Sequence, residues 1–136
     1  MSIRLEHQKT FPITRIAETL LMFLRLRGGS DATMDAELTY GPLADYFGLT
    51  DQNRKLARCD YYDNDLRVGF AWDNEVRVAS KTLKDDGYLI STTHFGQLIW
   101  RLTASGAERA DFWLVRMTDK TNALNALTVD TQLAEP

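Results

Sequence analysis

The most regular hydrophobic pattern in the chain lies between residues 72 and 86. Apolar residues recur there at helical steps of four, three and four positions, and they are Trp72, Val76, Ala79 and Leu83. The opposite side of the same helix carries amide and cationic groups, on Asn74, Arg77, Lys81 and Lys84. Gly87 ends the pattern, because glycine takes the left-handed conformation after a helix without a Cβ clash. The sequence therefore predicts a helix with one buried side and one polar, basic side.

A strand pattern begins directly after this helix. Residues 88–91 and 98–102 are rich in aromatic, aliphatic and β-branched side chains, which is typical of strands. Residues 92–96, which include Thr93 and His94, predict the loop of a β-hairpin. A polar helix followed by a hairpin indicates the winged-helix variant of helix-turn-helix, with the hairpin as a two-stranded wing. The predicted fold class is α+β, mainly α.

Further elements are predicted before this helix. Residues 12–27 carry a broad apolar stripe and predict a helix that ends at a pair of glycines. Residues 28–37 are polar and predict a loop. Short helices are predicted around residues 42–47 and 51–58, and residues 59–70 predict an ordered connection without a sustained period.

A small basic cluster lies on the second of these short helices. Thr50 is a good N-cap for it, since its hydroxyl can accept a hydrogen bond from a free N–H of the first turn. Arg54 and Lys55 follow within that helix. They could contact phosphates, or they could form a solvated face with no binding role.

The hairpin is followed by a predicted helix over residues 104–118. Ser105 and Glu108 fit a capping box at its start. Residues 119–136 have weaker amphipathicity, so this segment could extend the helix, fray, or dock on a second copy of the chain. A homodimer through the C-terminal helix is therefore one expectation.

Length and composition favour one domain. The 136 residues fit a winged-helix domain over residues 12–118, with a lead-in over residues 1–11 and an extension or tail over residues 119–136. No apolar run reaches the roughly 20 residues of a membrane span, and the N-terminus lacks a secretory signal pattern. The single cysteine fits a reducing compartment. We expect a cytoplasmic protein that does not contact a membrane.

The charge balance restricts how the chain could bind a polyanion. Sixteen Lys and Arg against nineteen Asp and Glu give a net charge of −3. Dedicated nucleic-acid modules are often strongly basic. Any binding to DNA must therefore depend on charge gathered on one face, and non-specific binding should be weak.

Residue patterns that would indicate catalysis or metal binding are not found in the sequence. His7, Cys59 and His94 are far apart along the chain, which argues against a metal site. Gly28 and Gly29 lack the following Lys and Ser or Thr of a phosphate-binding loop. The sequence predicts no catalytic residue, no metal site and no cofactor, and we expect a protein that is not an enzyme.

The order of motifs resembles the N-terminal winged-helix domain of Mrr-type restriction proteins over about residues 12–110. The matching positions are residues 43–47, Leu49, Thr50, Gln52, Arg54, Asn74, Val76, Ala79, Leu83, Gly87, Leu89, Gly96, Trp100, Leu102, Thr103 and Gly106. The resemblance implies a DNA-binding domain that in that family targets a separate nuclease. No segment of this sequence is long enough for that nuclease, so the resemblance implies DNA binding without cleavage, in a regulator or a defence-related factor.

Two hypotheses follow. In the first, the helix over residues 72–86 enters the major groove of double-stranded DNA, and the hairpin tip lies along the backbone. The expected DNA contacts are Asn74, Arg77, Lys81, Lys84, Arg54, Lys55, Thr93 and His94. In the second, the domain is a protein-interaction or dimerisation module without DNA binding. The acidic balance favours it, as do the aromatic residues Phe95 at the hairpin tip and Phe112 and Trp113 near the C-terminus.

Overall fold

The structure is a computed structural model that describes residues 11–28, 32–57 and 68–127. Within these ranges the helices are α1 Ile13–Arg27, α2 Glu37–Tyr46, α3 Asp51–Arg54, α4 Ala71–Asp85, α5 Ala104–Arg116 and α6 Thr118–Asn125. The strands are β1 Thr33–Asp35, β2 Leu89–His94 and β3 Gln97–Leu102. The fold is α+β and mainly helical, as predicted. None of the described helices combines the length and apolar character needed to cross a membrane.

The three strands form one antiparallel sheet in the order β1-β3-β2. Trp100 of β3 lies opposite Met34 of β1 on one side and Ser91 of β2 on the other, and it is fully buried. The prediction of a loop over residues 28–37 was wrong at β1. A strand of three residues is too short to show a period of two, and the partner that orders it lies 66 positions further along the chain.

The core is built around α1, which packs against α4, α5 and α6. Its residues from Ile16 to Leu24 are buried, with the exception of the half-buried Glu18. Glu18 forms an ion pair with Lys120 of α6 at 2.8 Å. The predicted apolar stripe of α4 is confirmed, because all four of its residues are buried. Trp72 also donates its indole N–H to the backbone oxygen of Tyr40 at 2.8 Å, which joins α4 to α2.

The start of the hairpin is joined to the start of α5 through a contact that we call the seam, formed by Gly87, Tyr88, Thr103 and Gly106. Gly87 ends α4 with a φ of +80°, as predicted. The Thr103 hydroxyl donates to the Gly87 oxygen at 2.7 Å and accepts from the Gly106 N–H at 3.0 Å. A Cβ on Gly106 would overlap the Tyr88 carbonyl, so only glycine fits there without movement. The seam fixes the hairpin between α4 and α5.

Two short helices before α4 differ from the prediction in their bounds. The helix predicted around residues 42–47 begins at Glu37, so that Pro42 lies inside it. The helix was predicted to begin near Pro42 because proline is common in the first turn of a helix. Thr50 caps α3 as predicted, accepting from the Asn53 N–H at 3.1 Å. However, α3 ends at Arg54 instead of residue 58, and the predicted connection at residues 59–67 lies outside the described residues.

The C-terminal part holds two helices instead of one. Thr103, and not the predicted pair Ser105 and Glu108, caps α5. The helix ends before Met117, and α6 begins directly after it. Leu124 of α6 is fully buried in the core of the same chain. Residues 128–136 of the predicted extension lie outside the described residues.

Candidate nucleic-acid interface

The side of α4 that faces away from the core carries the predicted polar residues. We call it the α4 ridge, and it consists of Asn74, Arg77, Val78, Lys81 and Lys84. Lys81 and Lys84 are exposed and Val78 is 41% exposed, whereas Asn74 and Arg77 are half-buried. Helical spacing thus brings all four predicted side chains of this helix to one surface, although two of them are partly covered.

Arg77 is partly covered because it lies on Tyr40 of α2. Its guanidinium carbon is 5.7 Å from the centre of the ring, and its Nη1 donates to the Tyr40 hydroxyl at 3.3 Å. Burial raises the pKa of the Tyr40 hydroxyl, and the hydrogen bond and charge of Arg77 offset part of that rise. The hydroxyl therefore stays protonated and retains its O–H as a donor.

The C-terminal end of the ridge is electrically mixed. Lys81 pairs with Asp85 one turn later, at 3.2 Å, and the two side chains are 74% and 63% exposed. A pair this exposed contributes little to stability and is readily exchanged for another partner. Lys84 and Asp86 are exposed beside it. The local field at this end is therefore weaker than the lysines alone would produce.

Arg54 and Lys55 have different surroundings. Lys55 is exposed directly after α3. Arg54 lies over the ring of Phe70 at 5.3 Å, and its Nη1 is 3.0 Å from Oδ1 of Asp73 on α4, with side-chain exposures of 20% and 18%. Burial raises the pKa of the Asp73 carboxyl, and the charges of Arg54 and Arg77 offset part of this rise. Arg54 thus faces α4 rather than open solvent.

The tip of the hairpin is tighter than predicted. Thr93 and His94 belong to β2 and not to a loop, because His94 already pairs with Gln97 across the sheet. The turn consists of Phe95 and Gly96, with φ values of +50° and +80°. This is the pattern of a two-residue primed turn, which favours Asn or Gly at the position of Phe95. Phe95 is 93% exposed, and the centre of its ring is 4.4 Å from that of His94. Thr93 and His94 are exposed as well.

A polar cavity of about 360 Å³ lies between the ridge and the hairpin, and we call it the α2–α4 cleft. Its lining residues are Ala36, Glu37, Tyr40, Arg54, Asp73, Arg77, Gly96 and Leu98. The cleft brings two predicted contacts, Arg54 and Arg77, to one place and flanks them with the hairpin. Lys81, Lys84, Lys55, Thr93 and His94 are not part of its lining.

The cleft was not predicted from the sequence. Its residues come from α2, α3, α4 and the hairpin, and no local period connects them. One signal was present, since Asp73 and Arg77 are four residues apart and therefore share a helix face. Among the described residues no group of three His, Cys, Asp or Glu side chains could hold a metal ion. Comparison with protein-family models, curated proteins and solved structures gave no match for this chain.

Proposed function

We propose that this chain is a winged-helix protein that binds double-stranded DNA through α4. The supporting observation is that α4 and the hairpin flank the same open cleft, so that a helix for the groove and a wing for the backbone face one side of the molecule. The third strand β1 and the seam hold the hairpin in this position. The order of the helices and strands agrees with the winged-helix interpretation.

In this proposal the residues of the ridge divide the work. Arg77 is suited to the O6 and N7 atoms of guanine, and Asn74 to the N6 and N7 atoms of adenine. Lys81 lies one turn after Arg77 and also faces the base edges, whereas Lys84 meets phosphates at the end of the helix. The Arg77 side chain turns from Tyr40 toward the base when DNA is bound.

The remaining predicted contacts serve the DNA backbone. Lys55 follows α3 in solvent, and Arg54 reaches the cleft from the same helix. Thr93 and His94 line the exposed end of the hairpin, where they follow the sugar-phosphate chain or reach the adjacent minor groove. Because the whole chain carries a net charge of −3, these few cations supply the phosphate attraction, and binding to random DNA is weak.

Selection from a random duplex library, carried out at low and moderate salt, tests this function. Enrichment of a short motif is the expected result. Arg77→Ala should then weaken binding to the selected duplex by about 1–3 kcal/mol, which is roughly five- to 150-fold, and relax the preference at one base pair. Lys81→Ala should weaken binding less.

Arg116→Ala is the matched control, because it removes one exposed cation from α5, away from the ridge. It should change the affinity by less than either ridge variant. If no motif is enriched and the ridge variants bind like Arg116→Ala, the DNA-binding proposal is wrong.

A protein-interaction module is the second candidate, and apolar side chains in solvent favour it. Phe95 is 93% exposed at the hairpin tip, and Val115 is 76% exposed on α5 next to Phe112, which is 39% exposed. Such anchors suit a partner protein or a second copy of the chain. Salt separates the two candidates, because phosphate contacts weaken steeply as salt rises and an apolar interface barely responds. Light scattering tests the predicted homodimer.

A further inference from the structure

We propose that the α2–α4 cleft is the seat of one phosphate of the DNA backbone, and that Asp73 masks this seat in the free protein by holding Arg54. The inference rests on the proposed function and deepens it, because it names one DNA contact and the group that competes for it. It also assigns to Asp73, an acidic residue, an inhibitory role in DNA binding.

The contact between Arg54 and Asp73 has the distance of an ion pair but not its usual hydrogen bonds. The two atoms are 3.0 Å apart, yet among the described residues neither Arg54 Nη1 nor Asp73 Oδ1 has a hydrogen-bond partner. A charge-assisted hydrogen bond is strong only when donor and acceptor are aligned, so this contact is weaker than its short distance implies. The ion pair of Arg54 with Asp73 therefore lacks an aligned hydrogen bond at these two atoms, and Arg54 can turn to a better acceptor.

A phosphate is that better acceptor. Arg54 and the hydroxyl of Tyr40 are both donors in the cleft, and the hydroxyl becomes available when Arg77 turns to its base. Arg77 bonds to Tyr40 at 3.3 Å, which is long for such a bond. A planar guanidinium matches the oxygen atoms of a phosphate in pairs, whereas Oδ1 of Asp73 forms no aligned hydrogen bond with Nη1 of Arg54.

The acidic residues explain why this seat would be closed without DNA. Asp73 and Glu37 face the two arginines across the cleft, so the charges of the lining cancel. Gly96 and Leu98 of the hairpin add no charge. Burial also disfavours the charge on the Asp73 carboxylate and so raises its pKa. A phosphate that accepts from both Arg54 and Tyr40 would compete with this carboxylate for Arg54, and anions with fewer contacts would not.

Asp73→Asn tests the mask, because it removes the charge and keeps the shape. Asparagine has nearly the same size and shape as aspartate, so this variant is expected to fold. Its dissociation constant for the selected duplex should be about three- to ten-fold lower than that of the wild type, with a salt dependence steeper by about one phosphate contact. Asp86→Asn is the control, since it removes one exposed acid at the end of α4.

Asp86→Asn should improve binding by less than about two-fold, because the charge of an exposed carboxylate is screened by solvent and salt. Adding Arg54→Gln to Asp73→Asn should abolish the gain, because the freed arginine makes the new contact. If Asp73→Asn binds the duplex no better than Asp86→Asn while the wild type binds it, the mask is disproved and the proposed function stands.

Pyrophosphate supplies a second measurement that does not need DNA. It should raise the melting temperature of Asp73→Asn more than that of the wild type or of Asp86→Asn. If no variant binds duplex DNA but this difference is found, the seat takes a free phosphate compound and the DNA part of the inference is overturned. If neither duplex nor pyrophosphate distinguishes Asp73→Asn from Asp86→Asn, the whole inference falls.

Discussion

The seam and the α2–α4 cleft are both places where distant parts of the chain meet, but they use polar groups in opposite ways. In the seam, the Thr103 hydroxyl and the backbone of Gly87 satisfy one another, and Gly106 leaves no space for another atom. In the cleft, Arg54 and Asp73 lie close together without aligned hydrogen bonds, next to an open volume of about 360 Å³. Closed and satisfied contacts support a fold, whereas open and unsatisfied contacts suit a ligand.

This difference changes the meaning of the family resemblance. Gly87, Thr103 and Gly106 are among its matching positions, and the structure gives each of them a role in holding the hairpin against α5. Residues with such roles are expected in any chain that places a helix after a hairpin in this manner. The motif therefore indicates an arrangement of elements, and the evidence for DNA binding has to come from the ridge and the cleft.

The largest expected effect tests the closed character of the seam. Gly106→Ala forces a Cβ into the Tyr88 carbonyl, and since backbone must move we expect a loss of about 2–4 kcal/mol in unfolding free energy. Gly87→Ala is the matched variant. Its φ is +80° but its Cβ would meet open space, so the loss should be about 1 kcal/mol. Urea unfolding measures both.

Equal losses in these two variants would contradict the description of the seam. They would mean that backbone conformation, and not the close approach of α5 to Tyr88, limits both positions. A larger loss for Gly87→Ala would contradict it more strongly. Either result would remove the structural explanation for the motif that ends at Gly106.

Elements with a strong local pattern were predicted well. α1 and α4 each bury a long apolar stripe, and the two strands of the hairpin follow each other closely, so the signal for each element lies within its own residues. β1 was missed, and the segment of α6 was left open between a helix extension, docking on a second copy and fraying, because the order of both elements comes from tertiary contacts. β1 is held by β3, and α6 is weakly amphipathic and is held by the burial of Leu124 and the ion pair of Lys120 with Glu18.

The candidate site shows the same division. The ridge is a property of a single helix, so spacing alone places Arg77, Lys81 and Lys84 on one surface. The cleft depends on Tyr40 and Arg54 arriving from α2 and α3, and no pattern in the sequence brings those residues to Asp73. Sequence reasoning also treated Arg54 as a free cation, because its partner on α4 lies 19 positions away.

A smaller effect tests whether the hairpin tip serves binding, like the cleft, or stability, like the seam. Phe95 has a φ of +50°, which is unfavourable for a bulky side chain, and it is 93% exposed. Phe95→Asn should therefore raise the unfolding free energy by about 0.5–1 kcal/mol, since asparagine suits this turn position. Thermal and urea unfolding measure the gain.

If the tip serves binding, the same variant should weaken binding to the selected duplex or to a partner protein. Strain retained at an exposed aromatic residue is typical of functional positions. Thr92→Val is the control, because Thr92 is exposed in β2 and its substitution should change neither property much. A gain in stability without any loss of binding would place the tip with the structural residues.

The smallest effect compares two ion pairs across pH. Asp111 accepts both Nε and Nη2 of Arg25, at 2.8 and 3.1 Å, and these hydrogen bonds hold its pKa below the ordinary value of 3.8. The folded state therefore binds its proton less tightly than the unfolded state, so the pair adds stability above the ordinary pKa and loses it as pH falls through the lowered one. The pair is exposed, so Asp111→Asn should lose at most about 1 kcal/mol at neutral pH, and nothing at pH values below the lowered pKa.

The contribution of Asp73 to stability should change with pH in the opposite direction. Its pKa is raised by burial, so the folded state binds the proton more tightly, and the stability of the wild type relative to Asp73→Asn should fall as pH rises above 3.8. Urea unfolding of both variants and the wild type across acidic and neutral pH measures the two slopes. Opposite signs are expected if the Arg25–Asp111 pair stabilises its carboxylate and the Arg54–Asp73 pair does not. Slopes of the same sign would show that Asp73 is as well held as Asp111, and a carboxylate held that well would not release Arg54 to a phosphate.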